Sequence, residues 1–405
     1  METRAARRGA LGLKGTGVAA DDASPLTMPH HPPSRAWRIV HSEASTGWGG
    51  QEHRVLAELQ GFQRRGSRLW LLATEGSGIS QRCRQAGIEP LPLNTSRWLY
   101  PVNAIRLARW LRHERVEVLN PHSSRDGWLL GIAGRLAKTP FIVRSRHIDV
   151  DYPNRLVSRH AFTTFADHII TTSEKISRKL RDTFRLPADR VSTIPTGIDL
   201  DRFRPDGPRA ELLSNPGGLP VVGMVSVLRS WKGHSTFLAA TKILVGARFP
   251  ARFVVVGGGP IRERIEQETT ELGLVGAVTL TGHREDVPEV LRALSVLVIA
   301  STKHEGVPQI GLQALATKTP VVGSDVGGTP EIIRPGETGR TFPAGDAVAL
   351  AEAIRATLTQ SAATRAWSLA GRAMVEQKHG LDAMLNRLES LYLRHVPRTS
   401  AAPSP

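Results

Sequence analysis

The chain has 405 residues, a length that exceeds one compact core and predicts two domains. Its hydrophobic fraction of 40% is ordinary for a soluble globular protein, and no apolar run approaches the roughly 18 to 20 residues of a membrane-spanning helix. The single cysteine, Cys83, excludes an intramolecular disulfide and any metal site built from several cysteines, which favours a cytoplasmic location.

The net charge of +16 lies mostly in the first half of the chain. Residues 37–205 carry 27 Lys and Arg against 16 Asp and Glu, whereas the residues from 206 onward carry 21 against 18. A basic half can bind nucleic acid, an anionic membrane surface or an acidic substrate, or can simply keep the protein soluble. Charge alone leaves these alternatives open.

Residues 1–36 are rich in Gly, Ala, Arg and Pro without periodicity, so we expect a disordered leader, with Met28 as an alternative start. Lys14 interrupts the best candidate for the apolar stretch of a secretory signal.

From residue 37 to residue 205, short β-branched runs alternate with helical patterns. The predicted strands are WRIVHS, RLWLLA, VEVLNPH, PFIVRSRH and HIITTS, and two of the predicted helices are GGQEHRVLAELQGFQRRG and NAIRLARWLRHE. Strands that alternate with helices are typical of a parallel sheet with helices on both faces. We therefore expect a first α/β domain over residues 37–205.

A linker rich in Pro and Gly, residues 206–219, precedes a second domain over residues 220–378. Its predicted strands are VVGMVSVL, RFVVVGG, VTLTG, VLVIAS and PVVGSD, with helices in KGHSTFLAATKILVGARFP and EGVPQIGLQALATKTP. Residues 379–395 are predicted to form a C-terminal helix that packs back toward the first domain. Open α/β sheets bind ligands beyond the carboxyl ends of their strands. The fold class is therefore α/β, with two doubly wound, Rossmann-like domains that face each other across a cleft.

The strand VLVIAS is followed by a helix predicted to begin close to Pro308, a residue suited to a first helical turn. The free N–H groups within residues 306–310 and the positive end of the helix dipole would stabilise a phosphate. Glu305 lies just outside this helix mouth, and a carboxylate beside a phosphate site suits the neutral hydroxyls of a sugar. Gln309 and Gln313, four residues apart, share a helix face. Alternatively, Glu305 caps the helix and Gln313 is a satisfied polar residue.

The segment ASTKHEGVPQIGLQALATKTPVVGSDVGGTPEIIRPGETGRTF resembles the donor-binding signature of glycosyltransferase family 4, which has the two-domain GT-B architecture. That signature has two glutamates eight residues apart, a helix of small residues, and DVGGxPE. Glu305 matches the first glutamate, which in the family contacts the transferred sugar. Gln313 stands where the second glutamate binds the nucleotide ribose, so we expect a weaker contact from its uncharged amide.

The resemblance also implies donor contacts outside this segment. In VGMVSVLRSWKGH, Lys232 matches a family lysine aimed at the donor diphosphate. The commoner arginine position is Val227 here, so that role is transferred to Arg229. The loop TGWGGQEHRVL would bring backbone to the diphosphate or acceptor. The implied donor-binding residues are Gly49, Gly50, Gly197, Arg229, Lys232, His283, Arg284, Glu305, Gly306, Val307, Pro308, Gln309 and Gln313.

The segments NPHSSRDGW and VRSRHIDVDYP each follow a predicted strand, so their polar residues can face the cleft. We expect acceptor contacts from His122, Arg125, Arg144 and Arg146. Arg144 and Arg146 alternate along a strand, and only one of them is expected to face a given ligand. His147 matches a family histidine near the transferred sugar. The implied catalytic residues are Glu305, His147, Lys232 and Arg229.

The resemblance implies a retaining glycosyltransferase that moves a sugar from a nucleoside-diphosphate donor to a glycan or lipid-linked acceptor, in the biosynthesis of surface polysaccharide or lipopolysaccharide. No cofactor and no dedicated metal are expected, because the family does not normally need them. The basic segments LARWLRHER and SEKISRKLRDTFR resemble surfaces that rest on anionic lipid at the inner face of the cell membrane, or they are solvated helix faces.

Two other functions are compatible with parts of the sequence. A nucleotide-sugar epimerase on the same fold would need further acid or base residues in the cleft. A nucleic-acid-binding protein is suggested by the charge, but the sequence has no recognisable nucleic-acid-reading motif. We therefore expect no nucleic-acid partner.

Overall fold

The computed structural model describes residues 35–152, 155–214 and 217–396. The predicted leader over residues 1–36 falls almost entirely outside the described residues, as does Met28. Within the described ranges, the chain forms two parallel sheets covered by helices, as the alternating pattern predicts. No helix in these ranges combines the length and the apolar character needed to cross a bilayer.

The first sheet is built from parallel strands whose central members are buried on both faces. These strands are β1 (Arg38–Glu43), β2 (Arg68–Ala73), β3 (Leu91–Pro92), β4 (Val118–Pro121), β5 (Phe141–Arg146), β6 (His168–Thr171) and β7 (Val191–Thr193). Their order is β3-β2-β1-β4-β5-β6-β7. The order reverses between β1 and β4, and open α/β sheets bind ligands at such a switch point.

Helices cover both faces of this sheet. They are α1 (Gly50–Arg64), α2 (Gly78–Gln85), α3 (Tyr100–His113), α4 (Ser124–Ala137), α5 (Arg155–Thr163) and α6 (Glu174–Phe184). The start of α6 is fixed by Ser173, whose hydroxyl oxygen accepts the N–H of Ile176 at 3.2 Å.

The second sheet repeats this arrangement. Its strands are β8 (Val221–Val225), β9 (Arg252–Val256), β10 (Val278–Gly282), β11 (Val296–Ile299), β12 (Val321–Ser324) and β13 (Arg340–Phe342), in the order β10-β9-β8-β11-β12-β13. The switch point lies between β8 and β11, so ligands are expected beyond the ends of these two strands. Glu305 lies in the loop that follows β11.

The remaining helices are α7 (His234–Gly246), α8 (Arg262–Glu271), α9 (Val287–Ala293), α10 (Gln309–Ala316), α11 (Thr329–Ile332), α12 (Ala347–Thr359), α13 (Ser361–Lys378) and α14 (Leu381–His395). The last of these, α14, packs against the first sheet, where Leu388 and Tyr392 join one buried cluster with Trp37 and Phe62. The ring centroids of Tyr392 and Trp37 are 5.6 Å apart.

The connection between the two sheets is held by α9. Arg292 donates from Nε to the carbonyl oxygen of Pro208 at 2.7 Å and from Nη1 to that of Arg204 at 3.1 Å. Because a guanidinium satisfies these backbone oxygens, the segment keeps a defined course although it lies outside both sheets.

Three strands, β3, β7 and β13, are not among the predicted strand segments. Each has only two or three residues, too few to show the apolar alternation on which strand prediction depends. All three lie at sheet edges, where a strand needs less apolar surface than a central one.

Candidate active site

The mouth of α10 lies where the sequence predicts it. Pro308 is the N-cap, and the helix runs from Gln309 to Ala316. Within the described residues, the N–H groups of positions 306, 307, 309 and 310 donate to no backbone or side-chain oxygen. Together with the helix dipole, these free donors make the mouth a site for an anion.

Glu305 is buried beside this mouth and is not a helix cap. Its Oε2 accepts a hydrogen bond from Lys232 Nζ at 2.7 Å and another from Ser301 Oγ at 2.7 Å. The structure thus joins two predicted catalytic residues from different segments into one ion pair. Ser301 was missed by the sequence analysis, although its position at the end of a predicted strand was a signal for it.

The DVGG turn, residues 325–328, supports the backbone around Glu305. Gly327 adopts a φ of +62°, and a side chain there would collide with the carbonyl oxygen of Glu305. The N–H of Gly328 donates to the carbonyl oxygen of Gly306 at 3.1 Å. These glycines therefore shape the loop that carries the site, a function the sequence analysis did not assign to them.

The two domains meet at Gly306. A side chain at this position would collide with the carbonyl oxygen of His147 and would approach Thr172 Oγ1 to 2.6 Å. His304, two residues before Gly306, also approaches the first domain. Its Nδ1 lies 3.0 Å from the carbonyl oxygen of Asp149. The first domain therefore covers the helix mouth, and the backbone of His147 lies next to it. A contact of His147 with a transferred sugar stays a prediction.

A second helix mouth faces the first one. α1 begins at Gly50, and the N–H groups of Gly50 and Gln51 make no hydrogen bond within the described residues. A β-carbon at Gly50 would lie 3.6 Å from Oε1 of Gln309, an amide oxygen that is buried and lacks a partner in the described part of the chain. The N-terminus of α1, capped by Gly49, and that of α10 thus border one polar space between the domains.

Arg229 lies at the rim of this space. Its guanidinium is 5.2 Å from the ring centroid of Trp231, and a β-carbon at Gly47 would be 3.6 Å from its Nη2. The side chain is exposed and therefore able to turn towards a diphosphate, unlike that of Lys232, which is held by Glu305.

His283 and Arg284 follow β10 at the edge of the second sheet. Arg284 is paired with Asp286 at 2.6 Å, and this hydrogen-bonded pair raises the pKa of Arg284 and lowers that of Asp286. The guanidinium of Arg284 is thus held by its neighbour, and a contact between the backbone of this loop and a base stays a prediction. Gln313 is partly exposed on α10, and its amide makes no hydrogen bond within the described ranges.

Gly197 does not lie as the resemblance implies. A β-carbon there would come within 2.7 Å of Leu381 Cα and 2.9 Å of Met384 Cβ, and its N–H donates to Met384 Sδ at 3.0 Å. With its donor in use and its Cα enclosed by the start of α14, Gly197 is a packing residue. This corrects its expected place beside the donor phosphates.

The expectation for Arg144 and Arg146 was also wrong, because residues two apart on a strand point to the same face. Both are buried. Arg144 donates to the carbonyl oxygen of Ala161 at 3.2 Å, and Arg146 to Ser124 Oγ at 3.3 Å. Burial and the neighbouring Arg146 lower the pKa of Arg144 to about 10. An enclosed Arg144 supports the fold, which removes it from the expected acceptor contacts.

The other two expected acceptor residues differ in exposure. Arg125 is exposed in the first turn of α4 and stays available for an acceptor, whereas His122 is buried between two further histidines. Two buried acids also lie near the switch point of the first sheet. Burial and, to a smaller extent, the neighbouring Asp126 raise the pKa of Glu43 to about 8. Burial also raises the pKa of Asp126.

The fold of the chain is that of known glycosyltransferases. It matches a glycosyltransferase from Rickettsia africae with a TM-score of 0.80 at 18% identity, over 90% of this chain and 100% of that one. It also matches HepE of Anabaena in complex with UDP and glucose, with a TM-score of 0.74 at 19% identity, over 88% and 99% of the two chains. The two sheets and the cleft between them therefore have the GT-B fold of these glycosyltransferases.

Two family models divide the chain between them. Glycosyltransferase Family 4 matches residues 48–202, and Glycosyl transferases group 1 matches residues 219–360. The protein belongs to glycosyltransferase family 4, as the motifs around Glu305 and Lys232 predicted.

Curated relatives agree with this assignment. One is the GDP-mannose-dependent alpha-(1-6)-phosphatidylinositol monomannoside mannosyltransferase of Mycobacterium tuberculosis, 26% identical over 71% of this chain and 78% of the relative. Another is the 2-deoxystreptamine N-acetyl-D-glucosaminyltransferase of Streptomyces fradiae, 29% identical over 68% and 70%. A third is the UDP-Gal:alpha-D-GlcNAc-diphosphoundecaprenol alpha-1,3-galactosyltransferase of Escherichia coli, 28% identical over 55% and 62%.

Proposed function

We propose that this glycosyltransferase moves a sugar from a nucleoside-diphosphate donor to a hydroxyl of a glycan or lipid-linked glycan, with retention of the anomeric configuration. The observation that carries the proposal is the contact of Lys232 and Ser301 with the buried carboxylate of Glu305, at the point where the mouths of α1 and α10 face each other. A cation, free N–H groups and a carboxylate side by side suit a pyrophosphate joined to a pyranose.

Each part of the site takes one part of the donor. Lys232, Arg229 and the free N–H groups of residues 306, 307 and 309 bind the diphosphate and stabilise the charge that develops on it. Glu305 accepts hydrogen bonds from sugar hydroxyls, and the amide of Gln313 binds the ribose. The backbone at His283 and Arg284 borders the base.

The reaction is a front-face displacement. The bond between the anomeric carbon and the phosphate oxygen breaks, and the nucleoside diphosphate leaves with the electron pair of that bond. The acceptor oxygen bonds to the same face of the anomeric carbon, and its proton passes to the departing phosphate oxygen. In this scheme the protein supplies orientation and charge stabilisation, and no side chain is needed as the base.

The acceptor is proposed to be lipid-linked, in the assembly of a surface polysaccharide or lipopolysaccharide. Relatives are named for acceptors on phosphatidylinositol and on diphosphoundecaprenol. This chain adds an apolar surface on the first domain, the Trp98 patch, in which Trp98 is 95% exposed. The patch consists of Trp98, Leu99, Val102 and Ile105, and the exposed Arg106 and Arg109 follow it on α3. Such a surface suits the inner face of an anionic membrane.

The test is a thermal-shift panel of UDP- and GDP-sugars, followed by transfer assays with the donors that bind. A donor present at 100 times its dissociation constant is expected to stabilise the protein by about 2.7 kcal/mol. Product NMR then reports the anomeric configuration. An altered sugar after incubation with donor alone would instead identify an epimerase, and an inverted product would refute retention.

A further inference from the structure

Three imidazoles form a row beneath the cleft. His41 lies on β1, His122 follows β4 and His147 follows β5, and these strands are neighbours in the sheet. His41 Nδ1 is 2.8 Å from His122 Nε2, and His122 Nδ1 is 2.8 Å from His147 Nε2. The rings stack with centroids 5.1 Å apart in both pairs. The three side chains therefore form one continuous hydrogen-bonded chain.

The chain of imidazoles is neutral. Burial lowers the pKa of His41, and it lowers the pKa of His122 and of His147 well below the ordinary value. Neighbouring positive charges lower these pKa values further. A neutral imidazole ring has one N–H donor and one acceptor nitrogen. Three such rings joined by two hydrogen bonds therefore allow only two arrangements of their protons. Either all three rings carry the proton on Nδ1, or all three carry it on Nε2.

The end at His41 distinguishes the two arrangements. His41 Nε2 is buried and has no partner within the described residues, so a proton there would be an unsatisfied buried donor. On the other side of the ring, Glu58 Oε2 lies 3.8 Å from His41 Nδ1 and has no hydrogen-bond partner among the described residues. A carboxylate at this distance favours the proton on Nδ1.

Glu58 is itself held in place. Arg54, one turn earlier on α1, donates from Nε to Glu58 Oε1 at 2.7 Å, and both side chains are fully buried. Arg54 also donates to the carbonyl oxygen of Ile194. The pair therefore has a fixed geometry, in which the second carboxylate oxygen faces His41.

At the other end of the row of imidazoles, His147 reaches the active site. The carbonyl oxygen of His147 accepts from Thr172 Oγ1 at 3.0 Å and adjoins Gly306. The Nδ1 atom of His147 has no hydrogen-bond partner among the described residues, and it is not one of the fully enclosed polar atoms. A proton on this nitrogen would point at a ligand in the cleft.

We propose that Glu58, through His41 and His122, fixes His147 as the Nδ1–H tautomer, so that His147 presents a hydrogen-bond donor to the sugar. The inference rests on the proposed function and on the resemblance, which implies that His147 lies near the transferred sugar. Glu58, His41 and His122 act as positioning residues, because they reach the substrate only through His147.

A metal ion is the competing interpretation of the same residues. His41 Nδ1, Glu58 Oε2 and His122 Nε2 are ligand atoms within 4.8 Å of one another. Two nitrogens on one tetrahedral zinc ion lie about 3.3 Å apart, given zinc–nitrogen bonds of about 2.0–2.1 Å. The observed separation of 2.8 Å fits an N–H···N bond better, and Arg54 adds a positive charge that opposes a cation.

The experiment measures the tautomer directly. Full-length protein labelled with ¹⁵N-histidine is compared with Glu58→Gln and with Glu389→Gln, which removes a carboxylate that is also buried but lies on α14. Long-range ¹H–¹⁵N spectra report which ring nitrogen of His147 is protonated. We expect Nδ1–H in the wild type and in Glu389→Gln, and a population of Nε2–H in Glu58→Gln.

The kinetic readout separates positioning from folding. In Glu58→Gln, kcat is expected to fall about ten- to hundredfold, the usual effect of removing a partner that fixes a histidine tautomer, while KM for the donor stays within a factor of about two. If Glu58→Gln does not fold because Arg54 is left unpaired, Arg54→Met combined with Glu58→Gln removes both charges and gives the same spectroscopic prediction.

Three results would overturn the inference. They are an Nε2–H tautomer of His147 in the wild type, an unchanged Nδ1–H tautomer in Glu58→Gln, and stoichiometric zinc in the purified protein. The proposed function fails separately: an enzyme that transfers no sugar can still show the tautomer shift, and an active transferase can lack it.

Discussion

Lys232 Nζ lies 2.7 Å from Glu305 Oε2, although the two residues are 73 positions apart in the chain. The sequence analysis assigned Lys232 to the diphosphate and Glu305 to the sugar, as separate contacts. Their pairing means that the carboxylate orients the lysine before any donor binds. It also keeps a negative charge beside a phosphate site from repelling the ligand, because that charge is already paired.

Replacement of Glu305 is expected to separate binding from transfer. In Glu305→Ala, Lys232 is released and can still bind the diphosphate, so nucleotide affinity stays nearly intact. The contact with the sugar is lost, and kcat is expected to fall by about 10²- to 10³-fold, as when a group that stabilises a transition state is removed. Titration calorimetry with the nucleotide and a transfer assay measure the two effects.

The matched control is Glu337→Ala, since Glu337 is an exposed carboxylate paired with Arg334 at 3.2 Å on the second domain. Glu337→Ala is expected to change neither the nucleotide affinity nor kcat. Full transfer activity in Glu305→Ala would remove Glu305 from the site.

Gln313 tests whether the second position of the family signature still binds ribose. The change Gln313→Glu restores a charged acceptor, and hydrogen bonds to charged groups exceed neutral ones by roughly 1 kcal/mol, which corresponds to about fivefold tighter nucleotide binding. Gln313→Leu, similar in size but apolar, is expected to weaken binding. Calorimetry with the free nucleoside diphosphate compares the three proteins, and no gain in the Glu variant would place the ribose elsewhere.

The sequence predicted those parts of the molecule that depend on local patterns. Apolar runs marked the central strands because both faces of a parallel sheet are buried. Pro308 marked the start of α10 because proline suits the first turn. The partners of Lys232 and Gly197 could not be predicted, since both contacts join segments far apart in the chain. His41 was missed because it lies inside an apolar strand pattern, where nothing local distinguishes it from a core residue.

Gly306 permits the close approach of the two domains, so a side chain there is expected to hold them apart. In Gly306→Ala, the new methyl group would collide with the carbonyl oxygen of His147. We expect a larger radius of gyration by small-angle scattering and a fall in kcat, whereas nucleotide affinity changes little because the helix mouth of α10 is intact.

Gly246→Ala is the control for this change. Gly246 ends α7, and a β-carbon there meets no atom within 4 Å. Alanine is expected to leave the radius and kcat unchanged and to raise stability by at most about 0.5–1 kcal/mol. An unchanged radius of gyration in Gly306→Ala would mean that the domains do not need this contact.

The Trp98 patch is expected to mediate membrane binding. Trp98→Gln removes its largest apolar side chain, and the loss of one buried large side chain, roughly 1.5–3 kcal/mol, corresponds to at least about tenfold weaker binding. Co-sedimentation with vesicles of phosphatidylglycerol and phosphatidylcholine measures the change. Leu369→Gln, at a residue 51% exposed on α13, is the control and should bind as the wild type does. Equal binding of the two variants would argue for a merely solvated surface.

Glu43 gives the stability of the protein a pH dependence whose sign can be stated. Burial raises its pKa from 4.5 to about 8, so between these values the folded protein keeps a proton that the unfolded chain has released. The free energy of unfolding therefore falls as pH rises from about 4.5 to 8, by at most about 1.4 kcal/mol per pH unit, and the contribution is constant above that range.

Glu43→Gln removes this titration, so its stability relative to the wild type should increase with pH up to about 8. Urea unfolding at one-unit steps from pH 5 to pH 9 measures the difference between the two proteins, in which the titrations of groups far from Glu43 cancel. Glu75→Gln, at an exposed carboxylate, should run parallel to the wild type at every pH. If the free energy of unfolding of Glu43→Gln ran parallel to that of the wild type from pH 5 to pH 9, the Glu43 carboxyl would be ionised over this whole range. The pair of buried acids, Glu43 and Asp126, would then carry charge at neutral pH.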